Sequence, residues 1–140
     1  MNLAFFILPK SQVIYLTEGA SFRQGLEKIR RHGYAALPVI SKDGQYLGMV
    51  NEGDFLWNIM SMGSVDSRDL EQARIDDIIS SRYAPVPITT DMEDLIRHAL
   101  EQNFVPVVDD LDRKTFMGII TRRSMLAYFV EHGAEGDPDS

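Results

Sequence analysis

An internal repeat is the feature of this sequence that most restricts its fold. Residues 36–40 and 46–50 are two apolar runs separated by a polar turn, and residues 104–108 and 116–120 repeat the arrangement. In each copy the first run contains a proline, the second contains a central glycine, and a helical pattern that opens with a polar residue follows. This pattern predicts two β-hairpins, each leading into a helix. Because each copy leaves apolar surface uncovered, we expect the copies to pack together, with a ligand bound at the seam.

The segments before the hairpins are repeated as well. Residues 13–17 and 86–89 are β-rich, and an amphipathic helical pattern follows each of them. The first of these helices opens with Ser21 and Gln24 at capping-box spacing and should end at Gly33. The sequence therefore predicts an α/β fold built from two β-α-β-β-α repeats.

Composition shifts along the chain indicate the boundaries of the repeats. We expect the first repeat, with an N-terminal segment, to span residues 1–63 and the second repeat to span residues 75–132. Residues 64–74 are polar without apolar periodicity, which is typical of a linker. Residues 133–140 consist mostly of Gly, Glu, Asp and Pro and are predicted to be a disordered tail.

Charge and composition argue against several classes of function. Fourteen Lys and Arg against 21 Asp and Glu give a net charge of −7, which disfavours binding to nucleic acid or to an anionic membrane. The absence of cysteine excludes disulfides and thiolate metal sites, and no apolar run reaches the roughly 20 residues of a transmembrane helix. We expect a cytoplasmic protein with neither a metal nor a cofactor.

Motifs typical of catalysis are missing from the sequence. It contains no nucleophile elbow and no Walker phosphate loop, and its three histidines lack the spacing of metal ligands. We therefore expect a protein that is not an enzyme. An enzyme acting on nucleotides is an alternative, but it would lack a positioned base or metal set.

The best candidate for ligand binding is the segment Thr121-Arg122-Arg123-Ser124, at the predicted start of the last helix. Backbone N–H groups at a helix start and planar guanidinium groups both suit phosphate oxygens. The segment therefore predicts a phosphate site. A pair of solvated surface arginines is the alternative.

The corresponding segment of the first repeat is acidic. Asn51, Glu52 and Asp54 should repel a phosphate, although Asp54 could accept hydrogen bonds from a ribose or cap its helix. The loops before the hairpins also differ. In the first repeat, Ala35 and Ala36 leave room for a flat ring, whereas the second loop is about two residues shorter by alignment of the helical stripes.

Apolar residues surround the helix that follows each hairpin. A chain of this size cannot enclose two such helices, so we expect a homodimer; burial of both helices in the monomer core is the alternative. The residues are Phe55, Leu56, Trp57, Ile59, Met60 and Met62 in one helix and Met125, Leu126, Tyr128, Phe129 and Val130 in the other.

Taken together, these motifs resemble the tandem cystathionine β-synthase (CBS) domain pair, or Bateman module. The resemblance rests on Gly-x-x-x-Leu-Pro-Val, the hairpin, and Gly-x-[Ile/Val]-[Thr/Asn]-x-x-Asp, and it extends over most of the chain. It implies two repeats related by a pseudo-twofold axis and packed as one module, with adenosine nucleotides in two clefts. The chain also resembles stand-alone bacterial CBS-pair sensors, some of which bind cyclic di-AMP with a Thr-Arg-Arg segment.

The resemblance implies residues for each cleft. The expected nucleotide site consists of Lys10, Val13, Ile14, Tyr34, Ala35, Ala36, Leu37, Pro38, Thr121, Arg122, Arg123 and Ser124. The other cleft, which we expect to be empty, would contain Asn51, Asp54, Phe104 and Val105. Ser124 occupies the position where nucleotide binders of the family usually have a ribose-binding aspartate. A ligand with a substituted ribose, such as cyclic di-AMP, would miss that carboxylate less than AMP would.

The function implied is regulatory. We expect the chain to bind AMP, ADP, ATP or cyclic di-AMP between its repeats and to alter the activity of an unidentified target protein through ligand-linked conformations. The alternative is a structural or protein-interaction module with no bound nucleotide.

Overall fold

The structure, a computed structural model, describes residues 3–63 and 65–136. Across these residues the chain forms seven strands and five α-helices. In chain order they are β1 (Leu8–Pro9), β2 (Leu16–Thr17), α1 (Phe22–His32), β3 (Ala36–Ile40), β4 (Tyr46–Asn51), α2 (Glu52–Met62), α3 (Ser67–Gln72), β5 (Val86–Pro87), α4 (Met92–Glu101), β6 (Phe104–Val108), β7 (Phe116–Thr121) and α5 (Arg122–Gly136). The predicted α/β class and the repeated order of strands and helices are confirmed.

The chain divides into two compact units. The first unit is Ile14–Tyr83, and the second combines the described residues up to Val13 with those from Ala84 onward. The first unit contains a sheet of order β2-β3-β4, and the second contains a sheet of order β1-β7-β6-β5. In both sheets the hairpin strands are antiparallel, and the strand that precedes the first helix of the repeat joins the hairpin in parallel.

Helix α1 shows how local sequence specifies an element of the first unit. The Ser21 side chain accepts a hydrogen bond from the Gln24 N–H, and the Gln24 side chain accepts one from the Ser21 N–H, which confirms the predicted capping box. The helix ends at Gly33, whose φ of 68° is left-handed. Its buried residues Phe22 and Ile29 pack in the core of the first unit.

Each core includes residues that the sequence assigned to the other repeat. Leu3 and Phe6 are buried in the core of the second unit, and β1 pairs with β7 there. Ile75 and Ile78, in the 3-10 turn Ile75–Ile78, are buried in the core of the first unit. The expected grouping of residues 1–13 with the first repeat and of this turn with the second therefore differs from the structure.

The central glycine of each hairpin is required because the backbone of another segment packs directly against it. Gly118 has a φ of +153°, and a Cβ atom there would lie 2.1 Å from the carbonyl oxygen of Leu8. Gly48 has a φ of +147°, and a Cβ atom there would lie 2.5 Å from the carbonyl oxygen of Ser80. Any larger residue would displace the covering backbone, so the repeated glycine is a packing requirement.

Two predicted irregular regions contain helix. The expected linker includes α3, which opens with a capping box between Asp66 and Asp69. The expected disordered tail is wrong for residues 133–136, because α5 continues to Gly136. Adding a residue to an existing helix costs less free energy than starting a new helix, so residues with low helix propensity can still extend α5. Residues 137–140 of that prediction lie outside the described residues.

Candidate functional site

The predicted phosphate segment lies where β7 runs into α5, in the second unit. The Ser124 N–H donates to the Thr121 hydroxyl oxygen at 3.0 Å, and the Thr121 N–H donates to the Ser124 hydroxyl oxygen at 3.1 Å. The Ser124 hydroxyl itself donates to the Thr121 carbonyl at 2.8 Å. Both side chains therefore act as the cap that starts α5.

Arg122 has protein partners in this segment. Its guanidinium donates to the carbonyl oxygens of Ala99 at 2.5 Å and Leu100 at 3.0 Å, and to the side-chain oxygen of Asn103 at 3.2 Å. These acceptors lie at and just after the end of α4. Arg122, which was expected to bind phosphate, thus binds the end of a helix.

Arg123 differs from its neighbour. It is exposed at the first turn of α5, and among the described residues no hydrogen bond or ion pair involves its side chain. A guanidinium in this position adds its charge to the partial positive charge of the helix start. Of the two arginines, Arg123 is therefore the one whose guanidinium can approach an anion without losing a protein contact.

Lys10 and Val13 also belong to the second unit. The 3-10 turn Lys10–Gln12 packs against β7, the strand that leads to Thr121. The Val13 N–H donates to the Lys10 carbonyl at 3.1 Å, and Val13 is buried. The fold therefore brings this predicted segment to the strand that carries the phosphate segment.

The predicted base-binding segment lies in the first unit, and only its beginning is open. Tyr34 and Ala35 are exposed, and the Tyr34 ring stacks on His32 with 6.1 Å between centroids. Ala36 begins β3 and is buried, as are Leu37 and Pro38. The Ala35 carbonyl accepts a hydrogen bond from the Glu52 N–H at 3.0 Å. Ile14, the remaining predicted residue of this unit, packs against its core.

The loops before the hairpins differ less than predicted. Three residues, 33–35, separate α1 from β3, and two residues, 102 and 103, separate α4 from β6, so the difference is one residue. The second loop contains the buried Gln102, which sequence reasoning did not identify. Its amide accepts from the Ala84 N–H at 3.2 Å and donates to the carbonyls of Ala84 and Phe104, each at 3.3 Å. Val105, the next predicted residue, is fully buried.

The acidic segment of the first unit forms a capping box with a cation beside it. The Asn51 side chain accepts from the Asp54 N–H at 2.8 Å, and the Asp54 carboxylate accepts from the Asn51 N–H at 3.0 Å. An NH2 nitrogen of Arg82 lies 3.6 Å from the other Asp54 oxygen. Arg82 was missed because nothing in the sequence links it to Asp54.

Neither a metal-binding cluster nor a membrane-spanning helix occurs in the described part of the chain. Within it, no group of three or more His, Cys, Asp or Glu side chains is arranged to hold a metal ion. None of its helices combines the length and the apolar character needed to cross a membrane.

Comparison with known proteins identifies relatives over most of the chain. The family model of the CBS domain matches residues 7–61 and again residues 75–131. Cyclic di-AMP receptor B of Bacillus subtilis (strain 168) is 20% identical over 127 residues, which cover 91% of this chain and 85% of that protein.

Solved structures share the fold. The CbpB protein of Listeria monocytogenes in complex with c-di-AMP matches with a TM-score of 0.79 and 21% identity, over 96% of this chain and 98% of that one. CBSX2 in complex with AMP matches with a TM-score of 0.73 and 24% identity, over 94% of this chain and 98% of that one.

Proposed function

The chain belongs to the CBS-domain family, with two CBS domains, and on that premise we propose that it is a regulatory module that binds an adenine nucleotide. The observation that carries the proposal is the exposed Arg123, which lies at the first turn of α5 without a protein partner among the described residues. An exposed guanidinium at a helix start suits a phosphodiester. The relatives named above that bind c-di-AMP and AMP support this ligand class.

Cyclic di-AMP is the ligand we propose. The Ser124 hydroxyl caps α5. The resemblance to the CBS family implies that nucleotide binders usually have an aspartate at this position, whose carboxylate holds the ribose hydroxyls. A ligand whose ribose is substituted by a phosphodiester does not need that carboxylate. The name of the Bacillus subtilis relative, Cyclic di-AMP receptor B, agrees with this choice.

Tyr34 and Ala35 are the residues we propose for the adenine. The exposed Tyr34 ring offers a face for stacking, and the small side chain of the exposed Ala35 leaves room beside it for a flat ring. Ala36, which sequence reasoning placed in the pocket, is buried in β3, so a bulky residue there would disrupt the core and could not test binding.

A homodimer that contacts a target protein is the assembly we propose. In α2, Leu56, Trp57 and Met60 are exposed by 66%, 69% and 65%, and in α5 Leu126 and Val130 are exposed by 65% and 86%. Exposed apolar side chains clustered on a helix are typical of protein interfaces. The second candidate function is protein interaction through these apolar faces, with no nucleotide bound.

Four residues of the helices expected to form the dimer surface face inward instead, two in each unit. In α2, Phe55 is buried in the core of the first unit, and Ile59 packs against that core. Met125 is buried in the core of the second unit, and Tyr128 packs against that core. The Tyr128 ring lies 4.4 Å from the Phe6 ring between centroids. The proposed surface therefore excludes all four residues.

Isothermal titration calorimetry with cyclic di-AMP, AMP and cyclic di-GMP tests the proposed function. The unaltered chain should bind cyclic di-AMP most tightly, and the guanine ligand at least about tenfold more weakly. Arg123→Ala should weaken cyclic di-AMP binding by roughly tenfold or more, the range expected for a hydrogen bond to a charged group. Arg68→Ala removes an exposed arginine from α3 and is the matched control. Absence of binding by the unaltered chain would leave the apolar faces as its functional surface.

A further inference from the structure

The Arg122 side chain connects two helices of the second unit. It leaves the first turn of α5 and reaches two main-chain carbonyls in the last turn of α4 and one amide oxygen in the loop after it. The contacts to Ala99 and Asn103 join residues 23 and 19 positions away in the sequence. One side chain thus ties the end of α4, the loop after it and the start of α5.

The end of α4 lacks the left-handed glycine that ends α1, although the Gln102 N–H donates to the His98 carbonyl at 2.9 Å in the same way. Helix α1 ends on the left-handed Gly33, whose N–H donates to the Ile29 carbonyl at 2.8 Å. Helix α4 is followed by Gln102 in an extended conformation, with a φ of −125° and a ψ of 138°. The last carbonyls of a helix have no partner within the helix, and a cation there is also favoured by the helix dipole.

The first repeat has no equivalent of this contact. The N–H of Arg122 donates to the Asn103 carbonyl at 3.3 Å, just as the N–H of Glu52 donates to the Ala35 carbonyl at 3.0 Å. Arg122 and Glu52 therefore occupy corresponding positions in the two repeats. A glutamate carboxylate cannot donate to carbonyls. The arginine contact is thus specific to the repeat that carries Arg123.

We infer that Arg122 is a positioning residue: its guanidinium holds the first turn of α5 against the end of α4 and so presents Arg123 to the phosphate, instead of binding the phosphate itself. This inference rests on the proposed function. For Arg122 to reach an anion, it would have to release the Ala99 and Leu100 carbonyls. Arg123 has no such contact to lose among the described residues. Because the first turn of α5 is already held in place, less conformational entropy is lost when the ligand binds.

Calorimetry with cyclic di-AMP at about 50 mM and about 300 mM NaCl separates the roles of the two arginines. Arg123→Ala should weaken binding and reduce its dependence on salt, because an ionic contact is lost. Arg122→Ala should weaken binding by at least about fivefold with the salt dependence of the unaltered chain, because ordering is lost and the phosphate contact is kept. Arg122→Lys keeps a donor and a charge and should restore part of the affinity.

Hydrogen exchange of the unliganded chain supplies a second readout. Arg122→Ala should increase exchange at the amides of residues 99–103, whereas Arg123→Ala should leave it unchanged. A reduced salt dependence in Arg122→Ala would overturn the inference by making Arg122 a phosphate ligand. Increased exchange with unchanged affinity would also overturn it, by making the contact only structural. Failure of the unaltered chain to bind cyclic di-AMP would instead contradict the proposed function.

Discussion

Tyr46 shows how a single buried side chain stabilises the first unit. Its hydroxyl donates to the Tyr83 carbonyl at 2.7 Å, and its side chain is 5% exposed at the start of β4. Burial, with a smaller contribution from the Tyr83 hydroxyl, raises the pKa of Tyr46 far above its usual value of 10.0. The folded chain therefore favours the neutral phenol.

We predict that Tyr46→Phe lowers the free energy of unfolding at neutral pH by about 1 kcal/mol, because the Tyr83 carbonyl loses its donor. A pKa raised by folding stabilises the chain fully below the unfolded value of about 10, and that stability is lost as the pH rises further. Urea unfolding at about pH 7 and about pH 11 should show the difference between the two chains shrinking at the higher pH. Tyr34→Phe, at an exposed tyrosine, is the control. A difference that grows with pH would contradict the prediction.

In the described part of the chain, capping boxes begin four of the five α-helices. They pair Ser21 with Gln24, Asn51 with Asp54, Asp66 with Asp69 and Thr121 with Ser124. Each pair spans three residues, so the contact is made as soon as the helix forms. The proposed phosphate segment and its acidic counterpart in the first repeat are thus also the starts of α5 and α2. A substitution of a capping residue in either segment therefore changes the stability of the helix.

We predict that Asp54→Ala lowers the free energy of unfolding by about 1 kcal/mol, because the Asn51 N–H loses its acceptor at the start of α2. Arg82→Ala removes the ion pair and an exposed hydrogen bond from Arg82 to the Ser80 hydroxyl, but it keeps the capping box. It should cost less, since Arg82 is exposed and surface pairs contribute about 0–1 kcal/mol. Denaturant unfolding of both variants measures the two effects.

Asp54→Ala, compared with Arg123→Ala, also tests the choice of ligand site. Cyclic di-AMP affinity should be unchanged by Asp54→Ala and reduced by Arg123→Ala. The opposite result would place the ligand at the acidic segment of the first repeat.

The whole molecule has a net charge of −7, yet it exposes apolar faces on α2 and α5. Each of these helices buries one side in its own unit, Phe55 in α2 and Met125 in α5. A stable dimer needs roughly 1,600 Å² of buried surface in total, which an apolar helix face can contribute to.

We predict that Trp57→Glu shifts the chain from dimer to monomer, because a carboxylate in an apolar interface loses hydration without gaining a partner. Light scattering coupled to size-exclusion chromatography at micromolar concentration measures the mass of each variant. Leu111→Glu is the control, because Leu111 is 53% exposed in the turn of the second hairpin, outside α2 and α5. An unaltered chain that is monomeric at these concentrations would contradict the prediction.

The elements and the candidate ligand segment could be predicted from sequence because their signals are local. Hairpins, helical stripes and the capping box at Ser21 depend on residues a few positions apart, and the duplication supplied each signal twice. The same local reasoning placed Thr121 and Ser124 at a helix start. It could not distinguish the roles of Arg122 and Arg123, because two adjacent arginines are equivalent in a pattern of residue types.

The two repeats and the order of their elements follow from the sequence, because periodicity and contacts between near neighbours specify them, and the repeated motifs pointed to the family. In contrast, the pairing of β1 with β7, the binding of Arg122 to the end of α4 and the position of Arg82 beside Asp54 become visible in the folded chain. Each of these contacts joins segments that are distant in the sequence. Their partners exist only once the fold has brought the segments together, so no local pattern encodes them.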